Sequence, residues 1–490
     1  MDSDPGYGSV AVGIGPGLAG SLEGSETVPL LIPEADESQW RPMTREELEQ
    51  AAGGPGWKKL RSRLVLLFWL SWLAMLGVAV AIVVQSPRPV APPLHWWQRE
   101  LFYSLQPAVF MDGDGAEASS ISAVAERLPY LKSLGVGVMI LEGVFRYDVS
   151  PPNLTMIDEH LGTSLQFQQL IIESHKAGIK VVLDLCELDL FSGQEPANET
   201  DGLSDASGHI QYSLRYWLEQ GVSGFAICDA DPAFSEKTLT EWRLLIQEFN
   251  TKDDERIVMV RQMGKALPAF NASGPAVNGS LVELVTKPLL PPSPNPLSAQ
   301  EVANAMETNL QKPQEEWPSW TVGGKASSGL ENILMVLMMT LPGTPIIKYG
   351  EEISPSQVST KMTRPLGLFQ SLSRMRAREE ALRFGSFTFL PFNATSVGHG
   401  TPNATATATV AATPPLAFLR SWGCVHFLVL FNLGSVSHTL DPDWAPSLPE
   451  GGVYVTSTGL DRLGSVSLQS MQLRPKEAVV IKLFETGNVS

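Results

Sequence analysis

Between Leu64 and Val84 the chain runs for 21 residues, LVLLFWLSWLAMLGVAVAIVV, without a charge. As a helix that run is about 30 Å long, the hydrocarbon thickness of a bilayer. Residues 64–84 are therefore expected to cross a membrane once. The run is too long and too far from the start to be a cleaved signal peptide. After a proline-rich stalk (85–94) the pattern changes to short apolar runs alternating with amphipathic stretches. The runs are PAVFMD (107–112), VGVMIL (136–141), IKVVLDL (179–185), GFAIC (224–228), RIVMV (256–260), LVELV (281–285), SWTV (319–322) and PIIKY (345–349). Between them, segments such as AVAERLPYLKSLG and SLQFQQLIIESHKAG place apolar residues at i, i+3 and i+4. They stop at Gly135 and Gly178, as helices capped by glycine do. Eight strands, each followed by helix or loop, predict an α/β fold, a closed (β/α)8 barrel over residues 95–385. From residue 386 helices give way to SFTFLPF, LAFLRSW, VHFLVLFN, VYVTST and AVVIKLF, strand-like runs separated by turns. They predict an antiparallel β-sandwich domain over 386–490, joined by the helical LFQSLSRMRAREEALRFG.

The flanks of the apolar run set its orientation. Lys58, Lys59, Arg61 and Arg63 crowd its N-terminal side, while only Arg88 and Arg99 follow closely. The positive-inside rule puts residues 1–63 in the cytoplasm and the rest outside, a single-pass type II arrangement. All seven N-x-[ST] sequons, at Asn153, Asn198, Asn271, Asn278, Asn393, Asn403 and Asn488, lie on the outer side. Small residues at Ser71, Ala74, Gly77 and Ala81 share one helix face. Such a face suits close approach by another transmembrane helix, and equally the ordinary Ala/Gly content of a lone anchor. Residues 1–40 are Gly-, Ser-, Pro- and acid-rich and are expected to be disordered. ETVPLL within them fits an acidic dileucine sorting pattern, which is short enough to arise by chance. MTREELEQAAG then carries a capping box, Thr44 with Glu47, opening a short helix that stops at Gly53-Gly54-Pro55. Trp96 and Trp97 suit either an interfacial anchor or packing at the start of the barrel.

A net charge of −17 argues against nucleic-acid binding. The histidines are dispersed, and neither CxxC nor HExxH spacing occurs, so no metal is expected. No nucleotide fingerprint opens a strand–helix unit, and no cofactor is expected. Cys186, Cys228 and Cys424 do not form a disulfide framework. Cys186 and Cys228 lie near the tops of adjacent predicted strands, where a bond is geometrically permitted, but free thiols are the expectation. PLLPPSPNP (288–296) and the Thr/Ala/Pro-rich GHGTPNATATATVAATPP (398–415) stand apart, the second like a flexible or O-glycosylated loop.

LPGTPIIKYGEEI (341–353) resembles the eighth-strand signature of the α-amylase family of glycoside hydrolases, and GVSGFAICD its fourth-strand segment. TREELEQAAGGPGW, LLFWLSWLAMLGVAVAIVV and HWWQRELFYSLQ resemble the heavy chains of heteromeric amino-acid transporters, as does the whole order of tail, span and barrel. That resemblance runs from about residue 42 to the C-terminus. It implies a type II glycoprotein that carries a polytopic light chain to the plasma membrane, the light chain being the transporter.

The resemblance also permits a test for catalysis. A retaining glycosidase needs two carboxyl groups about 5–5.5 Å apart, which in the amylase family end strands four and five. Strand four there reads G-F-R-x-D. Here Ala226 stands for the arginine, and Cys228 rather than Asp229 falls at the nucleophile's position. Side chains alternate along a strand, so the one-residue shift turns Asp229 to the other face. Strand five offers Arg261 and Gln262, and a neutral amide cannot protonate a leaving group. WPSWTVGG, near strand seven, holds neither the His nor the Asp of the family motif. Asp184 survives from the first motif. Only 38 residues separate strands three and four, leaving no room for the domain that amylases insert there. The barrel is thus expected to be catalytically dead, with Asp184, Cys228, Asp229 and Gln262 as vestigial positions. Covalently linked heavy chains place a cysteine in the stalk, and QSPRPVAPPLHWW has none, so no stalk disulfide to the light chain is expected. The rival readings are a membrane-anchored glycoside hydrolase using Asp229 and Asp184, and a cell-surface adhesion or receptor-type glycoprotein.

Overall fold

A computed structural model describes residues 43–52, 54–85, 90–110, 120–146, 153–186, 188, 202–228, 236–251, 254–262, 281–311, 317–353, 363–391, 413–440, 444 and 447–483. The chain divides into two units, Met1–Pro87 and Arg88–Ser490.

In the first unit a short helix, Arg45–Ala52, opens where the Thr44 amide donates to the Glu47 carboxylate at 3.0 Å. A helix of 31 residues, Pro55–Gln85, follows. Proline fits its first position because the N–H it lacks has no partner there. The stretch Gly56–Ile82 is long and apolar enough to cross a membrane. The four basic residues 58, 59, 61 and 63 are helical too, on its first turns. From Leu64 to Ile82 every side chain is exposed within this chain, the pattern of a helix whose solvent is lipid.

The second unit is built on eight parallel strands closed into a barrel, β1 pairing with β8. They are β1 (Leu101–Leu105), β2 (Val136–Leu141), β3 (Lys180–Asp184), β4 (Gly224–Cys228), β5 (Ile257–Arg261), β6 (Leu284–Leu290), β7 (Pro318–Gly323) and β8 (Thr344–Lys348). Two expected strands are corrected. The first is LFYSL, buried at all five positions as a strand covered on both faces must be. Of PAVFMD, Pro107–Phe110 is a 3-10 turn, and residues 111–112 lie outside the described residues. The sixth strand starts three residues later than expected and runs through Pro288. That proline is tolerated because β5 pairs with β6 only as far as Thr286, so its missing N–H costs no bond on that side. Helix ends follow local chemistry. Thr163 and Gln166 cap Ser164–Ala177 reciprocally, and Gly178 closes it at φ 74°.

Alternation along the strands divides the barrel's apolar residues into two sets. Phe102, Val138, Ile140, Val182, Ala226, Ile257, Met259, Leu284 and Ile346 fill the interior, while Tyr103, Met139, Val181, Phe225 and Val258 pack outward beneath the helices. Trp96 and Trp97, each 8% exposed, belong to the inner set and plug the N-terminal end. Trp96 stacks on Phe102 with ring centroids 6.4 Å apart. Of the two roles open to these tryptophans, the fold uses the packing one.

β9 (Ser386–Leu390), β10 (Leu416–Trp422), β11 (Val425–Asn432), β12 (His438–Thr439), β13 (Gly451–Ser457), β14 (Ser465–Ser467), β15 (Gln472–Leu473) and β16 (Glu477–Leu483) make the C-terminal part. Six of them form an antiparallel sheet in the order β14-β13-β16-β11-β10-β9, and β12 pairs with β15 as a two-stranded ribbon. Phe427, Val429 and Phe431 of β11 join the barrel's outer core. The alternate Leu428 and Leu430 join a separate core with Leu440, Met471 and Leu473 from around the ribbon. The sheet is thus buried on both faces, the geometry of a sandwich with one narrow layer.

Candidate functional site

In barrels of this kind chemistry sits at the C-terminal ends of the strands, so the inward-facing positions there decide what this one can do. Continuing the inner set upward by steps of two reaches Ser104 on β1, Glu142 just past β2, Asp184 on β3, Cys228 on β4 and Arg261 on β5. Arg261 Nη2 donates to Glu142 Oε1 at 2.7 Å and to Asp184 Oδ2 at 2.9 Å. Glu142 also accepts from the Ser104 hydroxyl, and its own amide donates to Leu105 O at 2.9 Å. Asp184 Oδ1 accepts from the Cys186 amide at 2.9 Å. Burial pushes the Glu142 carboxyl up, but the Arg261 guanidinium, the Ser104 hydroxyl and Lys348 outweigh it and hold it below the usual range. The surviving Asp184 is therefore a structural anion, buried and spent on an arginine and a backbone amide.

The two cysteines overturn the expectation of free thiols: Cys186 and Cys228 form a disulfide, with Cα atoms 4.8 Å apart. Register explains the pairing. Asp184 lies beside Ala226 across the β3–β4 ladder, so the next same-face pair, two residues on, is 186 and 228. Cys424 is free and exposed. The sulfur of Cys228, at the inward-facing end of β4, is thus bonded to Cys186. At the end of β5 the inward residue is Arg261, a fixed cation that cannot act as a general acid. Gln262 is half-buried, and its amide donates to Thr286 O at 2.9 Å. Asp229 lies outside the described residues.

A second carboxylate group flanks the mouth after β8. Glu352 is fully buried and accepts from Tyr103 Oη at 2.7 Å and from the Gly350 amide at 2.9 Å. Glu351, half-buried, accepts from the Lys348 amide at 2.9 Å. Burial pushes its carboxyl up to about 7, with Glu352 and Glu142 adding to the rise and Lys348 opposing it. Among the described residues no cluster of His, Cys, Asp and Glu could hold a metal ion.

The remaining sequence candidates fall as follows. Asn153 is exposed, and its Oδ1 accepts from the Thr155 amide and hydroxyl at 3.0 and 2.7 Å. Asn198, Asn271, Asn278, Asn393, Asn403 and Asn488 lie outside the described residues. Ser71, Ala74, Gly77 and Ala81 are exposed along the long helix, and a Cβ added at Gly77 would meet nothing within 4 Å. The sequence reading missed Glu142 and the Arg261 bridge. The available signal was the inward alternation of VGVMIL, which continues to the residue after it.

Comparison with known proteins now places the chain. Residues 31–103 match the family model described as the solute carrier family 3 member 2 N-terminus, and 104–187 match the α-amylase catalytic domain. Over 520 residues the chain is 26% identical to the amino acid transporter heavy chain SLC3A2 of Oryctolagus cuniculus, covering 95% of this chain and 92% of that protein. The chain is a homologue of the amino acid transporter heavy chains. The SLC3A2 heavy chain of Rattus norvegicus agrees, at 27% identity over 95% of this chain and 93% of its own. A debranching enzyme of Nostoc punctiforme, in an acarbose-soaked crystal, superposes with a TM-score of 0.57 over 81% of this chain and 100% of its own. At 16% identity, that likeness is one of fold, an α-amylase-type barrel with a C-terminal β domain. The heavy-chain homologue thus joins a membrane-type helix to a hydrolase-type barrel.

Proposed function

We propose that this protein is a non-catalytic ancillary subunit, a heavy chain that pairs with a polytopic amino-acid-transporter light chain and accompanies it to the plasma membrane. The observation that carries the non-catalytic reading is the barrel mouth. On this reading the nucleophile's position falls on Cys228, whose sulfur is bonded to Cys186, and the acid's falls on Arg261 and Gln262, a guanidinium tied to two carboxylates and a neutral amide. Similarity to heavy chains over nearly the whole length supports the pairing.

The orientation is type II, with residues 1–63 cytoplasmic and the barrel outside. Two features support it: the basic flank of the apolar helix, and the Cys186–Cys228 bond, since disulfides persist in oxidising compartments. The stalk has no cysteine, so the pair is held without a covalent link there. Helix contacts in lipid, through the face of Ser71, Ala74, Gly77 and Ala81, and contacts of the outer unit hold it instead. The seven sequons are sites for N-glycans.

An assay of the purified full chain with α-glucosides tests the enzymatic alternative. The expected result is no turnover above a heat-inactivated control. Hydrolysis that disappears in Asp229→Asn or Asp184→Asn would return the protein to the hydrolases.

A further inference from the structure

We propose that the cleft between the barrel floor and the six-stranded sheet binds a small aromatic carboxylate, a function separate from pairing with a transporter. The cleft has a volume of about 820 Å³, within the usual range for small-molecule sites. It opens at the N-terminal ends of β7 and β8, opposite the mouth, against the edge strand β9. Trp317, Phe384, Phe387 and Phe389 supply aromatic walls. Among the described lining residues two are cationic, Arg383 and Arg420, and none is acidic. In a chain of net charge −17, a cleft of that polarity selects anions.

The positive charge is built into the fold. Arg420 is fully buried; its Nη1 donates to Thr340 O at 2.9 Å and its Nη2 to Gly385 O at 3.0 Å, while Nε has no partner. Behind it, buried Arg376 donates to the carbonyls of Met339, Leu341 and Gly343. The first two of these carbonyls lie at the end of the helix Glu331–Thr340, whose negative end offsets part of the charge. Neither guanidinium has a carboxylate partner among the described residues. Burial, aided by Arg383, pulls Arg376 down to about 10; burial, aided by Arg376, pulls Arg420 down to about 9. An anion in the cleft relieves that repulsion. Arg383, half-exposed at the rim and without a partner among the described residues, is the group placed to grip it. A guanidinium pairs with a carboxylate through two parallel hydrogen bonds, and the aromatic walls favour a flat, apolar body.

The test is calorimetric titration of the full chain in non-ionic detergent with 2-naphthoate, against 2-naphthalenemethanol as the uncharged counterpart. Saturable 1:1 binding of the acid is expected, about tenfold or more weakened by Arg383→Gln and abolished by Arg383→Glu. Near-UV circular dichroism checks that both variants keep their fold. Absence of saturable naphthoate binding overturns the proposal. So does unchanged affinity in both variants, or an alcohol that binds as tightly as the acid, which indicates adsorption to apolar walls only.

Discussion

At the scale of residues, Arg261 is the centre of an ion cluster at the barrel mouth. Its guanidinium donates to two carboxylates at the ends of the adjacent strands β2 and β3, Glu142 at 2.7 Å and Asp184 at 2.9 Å. Removing one partner of a buried ionic cluster costs about 3–5 kcal/mol because the other charges are stranded. Arg261→Met is therefore expected to lower the unfolding free energy by about that much, read by urea denaturation, without creating hydrolase activity. Glu351 works in the opposite direction. Its carboxyl ionises near pH 7 in the folded protein, against a reference value of 4.5, so the native state binds its proton more tightly than the unfolded chain does. Its contribution therefore favours folding in acid and is lost as pH rises from the unfolded value to about 7. Glu351→Gln should raise stability by about 1–3 kcal/mol above pH 7 and change little below pH 4.5, measured as melting temperature against pH. Part of this was legible in the sequence. Alternation along GFAIC puts Cys228 on the inward face at the end of β4. The Arg261 bridge was not, because it joins β2, β3 and β5, and strand pattern alone does not fix the register between them. The disulfide was missed for the same reason: two cysteines 42 residues apart become neighbours only once Asp184 is set beside Ala226.

At the scale of elements, the apolar runs marked six of the eight barrel strands to within a residue or two. The two misplacements share a cause. Each lies beside a proline: LFYSL is followed by Gln-Pro, where Pro107 opens a 3-10 turn, and β6 continues through Pro288. In both places the burial of neighbouring strands overrode a local proline signal. The long helix carries the topological claim. Its basic first turns and uncharged body predict that Asn153, exposed beyond β2, is presented to the glycosylation machinery. Asn153→Gln should therefore remove one glycan's mass from the cell-expressed protein, seen as a glycosidase-sensitive gel shift. An Asn153 that stays unmodified along with every other sequon would place the barrel in the cytoplasm.

At the scale of the whole molecule, the described residues combine one long apolar helix, exposed from Leu64 to Ile82, with a unit whose barrel mouth carries a disulfide and an ion cluster. Under the proposed function, the small residues down one side of that helix are its half of a contact in lipid. The central claim is that the other half belongs to a polytopic transporter. It is tested by affinity purification of the full chain from cells in mild detergent, with mass spectrometry and paired reducing and non-reducing gels. The expected result is a near-stoichiometric polytopic amino-acid transporter that separates from this chain on the non-reducing gel. Recovery of the chain without any polytopic partner would contradict it.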